Sequence, residues 1–406
     1  MDPLKNIRRM EDLPLEGRRV LIRVDFNVPV TADGDVVDDS RIQAAIPTIR
    51  HAIEQGAKVV LASHLGRPNG RRVPELSMLP VGERLRDLLS KELGREVEVF
   101  LPEESVGDGP RKVVMERVEG DVVLLENLRF YPEEEANDNV FAMKLAALAD
   151  VFVNDAFSAL HRQHASISAA PKHFAERGVG LLLMKELSVF GRLVGSPDAP
   201  FVALLGGSRV PEKIGVMNSL LPRARTILVG GQTATTFLAA RGLKVGKSRV
   251  EPDRFDAVAG LLSRAKLRGV DVMLPTDVVV ATEIADEAPT EVVPADAIPA
   301  EALVVDIGPE TAAAYAAVLK GAKTVLWDGP MGYAERKPFL AASETVGKAI
   351  ARSSAMSVVT GIDTVAAVNR LVLKPFFKHV STGGSASIAL LEGRELPGLD
   401  ALREET

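Results

Sequence analysis

At 406 residues the chain exceeds what one ordinary hydrophobic core organises, so two domains are expected. With 46% apolar and 26% charged residues it is neither disordered nor collagen-like, and a net charge of −6 leaves no excess of Lys and Arg for a nucleic-acid partner. The absence of cysteine excludes disulfides, thiolate catalysis and zinc–thiolate sites.

The opening Met1-Asp2-Pro3-Leu4-Lys5-Asn6-Ile7-Arg8-Arg9 has no apolar core of the kind a secretory leader carries. Apolar runs such as Val278–Ala281 are far too short to span a bilayer, so a cytoplasmic protein with no membrane partner is expected. Short β-branched runs then recur, each followed by a helical stretch, the pattern of parallel sheets with crossover helices. In the first half they are Val20–Val24, Lys58–Ala62, Val97–Phe100, Val122–Leu125 and Val151–Val153, with amphipathic helices such as Arg41–Gln55 and Val81–Leu93 between them. The acidic run Glu133-Glu134-Glu135 reads as a solvated turn. Leu181–Val194 reads as an unbroken helix ended by Gly195-Ser196-Pro197-Asp198, and is expected to join the domains. Strands follow at Phe201–Leu205, Thr226–Val229, Val272–Leu274, Leu303–Val305, Thr324–Trp327, Ser357–Val359 and His379–Val380.

The expected architecture is therefore α/β, with two facing doubly wound, Rossmann-like parallel-sheet domains. Residues 1–180 form the first, 181–199 the connecting helix and hinge, and 200–389 the second.

Ligands of open α/β sheets bind beyond the carboxyl ends of the strands. In the first half those ends carry Asp25 and Asn27, His64 and Arg67, Asn127 and Arg129, and Asn154 and Asp155, with Arg41 and His161-Arg162 nearby. Several guanidinium groups suit a small molecule bearing phosphate and carboxylate. In the second half the ends are glycine-rich: Gly206-Gly207, Gly230-Gly231, Gly308, Gly329-Pro330, Gly361 and Gly383-Gly384. Glycine lets backbone N–H groups approach phosphates at helix N-termini, which suits a nucleotide. Two substrates on two domains is the layout of a kinase that closes to exclude water. Each residue alone has a plainer explanation, since Asp25 can cap a turn and Asp363 a helix, and only their joint placement argues for a site. Gly246-Lys247-Ser248 imitates a phosphate-binding loop, but its first glycine is replaced by Arg241 and no strand directly precedes it. A dehydrogenase is disfavoured, because no G-x-G-x-x-G turn follows the first strand.

The stretches Arg23-Val24-Asp25-Phe26-Asn27-Val28-Pro29, Ser63-His64-Leu65-Gly66-Arg67-Pro68, Glu126-Asn127-Leu128-Arg129-Phe130, Val153-Asn154-Asp155-Ala156-Phe157, Asp306-Ile307-Gly308-Pro309-Glu310, Trp327-Asp328-Gly329-Pro330 and His379-Val380-Ser381-Thr382-Gly383-Gly384 resemble, in order, the phosphoglycerate kinase family. Pro330-Met331-Gly332 and the compact loops look more like archaeal than eukaryotic members. The resemblance implies reversible phosphoryl transfer between 1,3-bisphosphoglycerate and ADP, giving 3-phosphoglycerate and ATP, in a monomer that uses Mg²⁺. It places the phosphoglycerate on Asp25, Asn27, Arg41, His64, Arg67, Arg129 and Arg162. It assigns catalysis to Arg41, Arg209 and Lys213, and the nucleotide to Gly206, Gly207, Lys213, Gly230, Gly231, Gly308, Pro330, Glu335, Gly361, Asp363 and Thr364. Asp363 is the carboxylate implied near the metal, and the tail 390–406 is implied to pack on the first domain.

The departures from the family pattern gather on the nucleotide half: Arg209, Gln232, Asp328, Ala334, Thr360, Ile362 and Ser385. A β-branched Thr360 or Ile362 at a position needing positive φ would be strained, and Asp328 adds negative charge beside phosphates. An altered nucleotide or phosphoryl donor, or a non-catalytic protein that senses phosphoglycerate, are the alternatives these departures raise.

Overall fold

The computed structural model describes residues 4–31 and 33–404. They form two compact units, one running to Ser188 and resuming at Glu395, the other spanning Val189–Arg394.

The first unit is built on strands β1 (Arg19–Arg23), β2 (Lys58–Ala62), β3 (Val99–Phe100), β4 (Val122–Leu124), β5 (Val151–Asn154) and β6 (Glu176–Val179). They form one parallel sheet in the order β3-β4-β2-β1-β5-β6. The runs VLIR, VVLA and VFVN are buried throughout, as expected for strands covered on both faces. The helix Leu79–Leu93 shows why its segment folds so: Val81, Leu85 and Leu89 recur every four residues on the buried face, Pro80 sits in its first turn, and Gly94 ends it with φ 63°. β6 is absent from the sequence reading because Glu176-Arg177-Gly178-Val179 has no apolar run. It is an edge strand, and Gly178 leaves room for the Arg8 carbonyl, which would lie 2.5 Å from any Cβ there.

The second unit contains β7 (Phe201–Leu205), β8 (Thr226–Val229), β9 (Asp271–Met273), β10 (Asp277–Ala281), β11 (Thr290–Pro294), β12 (Leu303–Ile307), β13 (Thr324–Asp328), β14 (Met356–Thr360) and β15 (His379–Val380). Its parallel sheet has the order β15-β14-β13-β7-β8-β9. Leu303–Val305, expected in that sheet, belongs instead to a separate antiparallel sheet, β11-β10-β12. Strand composition alone does not distinguish the two environments, because β12 is as apolar as its parallel neighbours. Trp327 is fully buried in β13 and donates from Nε1 to the Gly329 carbonyl, 2.9 Å away.

In each sheet the chain leaves a central strand in both directions: β1 lies between β2 and β5, and β7 between β8 and β13. These are the switch points where a crevice opens beyond the strand ends.

The helix Leu181–Val194 carries the chain from the first unit into the second. Its first turn is tied to the first unit: Leu181 N–H donates to Thr48 Oγ1 at 3.0 Å and Leu183 N–H to Asp155 Oδ1 at 3.0 Å. The returning tail is anchored there too, with Gly398 N–H donating to the Leu160 carbonyl and Glu404 N–H to the Asn6 carbonyl, each at 3.0 Å. Residues 405–406 of the expected tail, and 1–3 of the opening segment, lie outside the described residues. No helix among the described residues is long and apolar enough to cross a membrane.

Candidate active site

At the first switch point the end of β1 turns sharply, and Asn27 N–H closes the turn on Asp25 Oδ1 at 3.0 Å. Asp25 also pairs with Arg41 Nη1 at 2.5 Å, at the start of the helix Ser40–Glu54, and accepts the Ser158 hydroxyl proton. Asn27 Oδ1 accepts Gly66 N–H at 2.8 Å, and Arg129 donates to the Gly66 carbonyl at 2.7 Å. Asp25, Asn27, Arg41 and Arg129 are thus linked in one network through backbone and side chains, while His64 Nδ1 stands 3.2 Å from Nη2 of the buried Arg23. Arg67 is exposed and Arg162 half-buried, neither forming an ion pair among the described residues.

The electrostatics are those of a site built to receive an anion. Arg129 is pushed down to about 10 by burial and then by Arg162, with Arg23 adding to the effect against Glu135 and Glu134. Burial also pushes His64 well below its ordinary range, and Arg23, Arg129 and Arg162 act in the same direction against Asp25. Burial would raise Asp25, yet its pKa is held at about 2 by His64, Arg41, Ser158 and Asn27 together. Guanidinium groups that depress one another are relieved by bound phosphate or carboxylate.

Several residues at the strand ends have structural work instead. Asn127 donates to the Leu65 and Leu76 carbonyls, and Glu126 accepts from Ser77, Met78 N–H and Asn127 N–H. Asp155 caps the connecting helix through Leu183, and burial pushes it up to about 7 despite hydrogen bonds to Thr48, Leu183 and Leu182. Its folded pKa lies above its unfolded value near 3.8, so the stability it contributes is full below that value and lost as pH rises through about 7. Asp155→Asn should therefore flatten the fall in thermal stability between about pH 4 and pH 7. A variant with the wild-type slope across that window would show that Asp155 titrates alike folded and unfolded.

The acidic run 133–135 is not a solvated turn. Glu134 is fully buried, accepting from Ser166 N–H at 2.9 Å and Ser166 Oγ–H at 2.6 Å, and Glu135 lies 3.3 Å from Arg129. Three like charges in a row look solvated in sequence, whereas the short helix Pro132–Glu135 turns the middle one inward.

In the second unit a pocket of about 130 Å³ opens at the switch point between β7 and β13, lined by Gly207, Arg209, Lys213, Asp328, Asp363 and Ser385 among others. Gly207, Gly361 and Thr364 share it, as does Gly384 before the helix Ser385–Leu391. Lys213 and Asp328 are nearly fully buried and form an ion pair. The extra charge of Asp328 is thus neutralised by the lysine expected on phosphates, a partnership that spacing alone does not reveal. Arg209 is exposed at the rim, 3.3 Å from Glu212.

The substituted turn is unstrained. Thr360 closes β14 and Ile362 opens the helix Ile362–Arg370, while the positive φ of 87° falls on Gly361 between them. Gln232 and Ser385 sit within helices, and Ala334 packs with Leu340 and Ala367.

Other glycines serve backbone packing. Gly207 N–H donates to the Pro330 carbonyl at 3.0 Å and Gly231 N–H to the Met331 carbonyl at 2.7 Å, and a Cβ on Gly206 would collide with Pro330. Gly206, Gly230 and Pro330 hold the ends of β7, β8 and β13 together and do not line the pocket. Gly308 lies against Asp277, whose carboxylate accepts the Glu310 and Thr311 N–H groups at 3.0 and 2.8 Å and so fills that helix N-terminus. Gly231 and Met331 instead border a narrow, mostly apolar slot of about 10 Å³ beside Leu238, Val278 and Ile307. Glu335 is exposed beyond β13. Lys247 of the imitation loop pairs with Glu301 at 2.5 Å.

Among the described residues no three His, Asp or Glu side chains cluster to hold a metal by themselves. Asp363 is exposed at the pocket in the first turn of its helix and forms no ion pair among the described residues, which fits Mg²⁺, a cation held by one or two carboxylates together with substrate phosphates.

The family described as phosphoglycerate kinase matches residues 10–394. A phosphoglycerate kinase of Anaeromyxobacter dehalogenans (strain 2CP-C) is 48% identical over 400 residues, 98% of this chain and 100% of that protein. That of Moorella thermoacetica is 46% identical over 396 residues, 98% of this chain and 99% of that protein. Among solved structures, phosphoglycerate kinase from Coxiella burnetii gives a TM-score of 0.85 at 37% identity, covering 98% of each chain. That from Pyrococcus horikoshii gives 0.78 at 32%, covering 97% of this chain and 98% of that one. These curated relatives, from Anaeromyxobacter and Moorella, are bacterial, which overturns the archaeal expectation. A three-residue phrase weighs little against some 400 aligned positions.

Proposed function

We infer the working of this site from one premise: the chain belongs to the phosphoglycerate kinase family and is a phosphotransferase, acting reversibly between 1,3-bisphosphoglycerate with ADP and 3-phosphoglycerate with ATP. The observation that carries the assignment of residues is the pairing of two anion-receiving sites, one at each sheet's switch point.

The phosphoglycerate belongs to the first unit, on Asp25, Asn27, Arg41, His64, Arg67, Arg129 and Arg162. The nucleotide phosphates belong to the second unit, where Gly207, Gly361 and Thr364 border the pocket, Lys213 meets the phosphates and Arg209 stands at the rim. Arg41, Arg209 and Lys213 supply the positive charge that phosphoryl transfer needs on its equatorial oxygens. The base takes the slot beside Gly231 once Met331, an unbranched and adaptable side chain, gives way. Glu335 receives the ribose. Asp363 would hold Mg²⁺ together with the phosphates, and the metal would supply neutralisation of the developing charge. The protein works as a monomer in the cytoplasm.

Asp363→Ala should raise the Mg²⁺ concentration for half-maximal rate on the order of tenfold, with less change in the rate at saturating metal. An unchanged metal titration would refute the assignment. The test of the whole reading is a coupled assay with 3-phosphoglycerate, Mg²⁺ and ATP, GTP, CTP or pyrophosphate. Strong turnover with ATP is expected, since the turn around Gly361 is unstrained. Turnover only with another donor would mean that the departures have redirected the second unit, and binding of 3-phosphoglycerate without turnover would leave a sensor.

A further inference from the structure

We propose that Arg23, Ser166 and Glu134 form a buried positioning relay that fixes the proton of neutral His64 on Nε2, so that His64 presents a hydrogen-bond donor and not a cation to its ligand. That the ligand is the phosphoglycerate rests on the reading above; the relay itself stands on geometry.

Arg23 lies in β1, only 1% exposed, and a guanidinium has donors and no acceptor. Its Nε donates to Ser166 Oγ at 2.8 Å, Nη1 donates to the Val24 carbonyl, and Nη2 stands 3.2 Å from His64 Nδ1. Nδ1 must therefore accept. Protonated there, it would set N–H against N–H, so the ring's one proton belongs on Nε2, which has no partner among the described residues.

The other end of the relay fixes Arg23. Ser166 Oγ already accepts from Arg23, so its own proton goes to Glu134 Oε1 at 2.6 Å, while Ser166 N–H donates to Oε2 at 2.9 Å. Both Glu134 oxygens accept, and its carboxylate balances the buried guanidinium. The charged groups facing His64 are Arg23, Asp25, Arg129 and Arg162. Those facing Glu134 are Arg23 and Arg129, with His164 at 3.9 Å. Burial and three guanidiniums hold His64 neutral against the single Asp25. A neutral donor adds specificity for an oxygen without adding repulsion to an already crowded cationic site.

The test is long-range proton–nitrogen NMR of the full-length protein carrying nitrogen-15 histidine, with His64 assigned by the loss of its signals in His64→Gln. At pH 7 the expected pattern is one protonated Nε2 and one unprotonated Nδ1. A protonated Nδ1, or a cationic ring at pH 7, would overturn the proposal without any further variant.

Ser166→Ala should shift His64 toward a tautomer mixture and raise KM for 3-phosphoglycerate on the order of tenfold, with little change in kcat. Ser166→Thr, which keeps the hydroxyl, should restore both, and Glu134→Gln provides a second break in the relay. An unchanged tautomer in both Ser166→Ala and Glu134→Gln would remove Ser166 and Glu134 from the relay. Adding 3-phosphoglycerate to the wild type should move the His64 signals. If the tautomer is as stated but those signals stay in place, the relay holds and the placing of phosphoglycerate on this unit falls.

Discussion

Lys213→Met is expected to lower the unfolding free energy of the second unit by about 3–5 kcal/mol and turnover by on the order of 10²–10³-fold. The stability loss follows from burial: the two side chains are 6% and 3% exposed, so removing the ammonium strands the Asp328 carboxylate where water cannot solvate it. The turnover loss follows from the pocket, where Lys213 is the buried cation beside Gly207 and Asp363. The two effects separate in the double variant Lys213→Met, Asp328→Leu, which removes both charges and should recover most of the stability but none of the turnover. The chain's single tryptophan, Trp327, is buried in this unit, so its fluorescence during urea denaturation reports the relevant transition. Wild-type stability in Lys213→Met would refute the buried pair, and lost stability with full turnover would remove Lys213 from the phosphate site.

Arg41→Ala is expected to reduce turnover by on the order of 10²–10³-fold while 3-phosphoglycerate binding changes far less, because the contact strengthens as charge develops in the transition state. The structure adds a second consequence. Arg41 holds Asp25 at 2.5 Å and helps keep its pKa near 2, below the unfolded value near 3.8. A depressed carboxylate contributes stability that is present above its unfolded pKa and lost as pH falls through the folded one. The acid limb of the wild-type stability curve should therefore fall between about pH 4 and pH 2, and in Arg41→Ala that fall should be smaller and finish at higher pH. Asp25→Asn added to Arg41→Ala should remove that shift without restoring turnover. Near-normal turnover in Arg41→Ala would contradict the catalytic role outright.

The parallel strands were legible because buried β-branched runs have few other uses, and the strand ends because open sheets place ligands there. β6 and the antiparallel sheet were not legible. Glu176–Val179 is held as an edge by its neighbour and by the Arg8 carbonyl, and nothing in Leu303–Ile307 states which sheet it joins. Arg23 left one signal, a charge inside the apolar run Val-Leu-Ile-Arg-Val, which in a doubly covered strand requires a buried partner. That its partner is Glu134, by way of Ser166, could not be read, because the three residues are far apart in the chain.

By itself the sequence determined the fold class, the family and the glycine turns. These depend on local pattern and on residues that must occupy particular strand ends. Tertiary structure alone decided which charges are opposed. Asp328 meets Lys213, Asp155 caps a helix, Asp277 fills the helix terminus behind Gly308, and Gly206, Gly230 and Pro330 pack strand ends without lining the pocket. A charge acts over a few ångströms whatever the sequence separation, so its effect becomes readable only when the fold has chosen its neighbours.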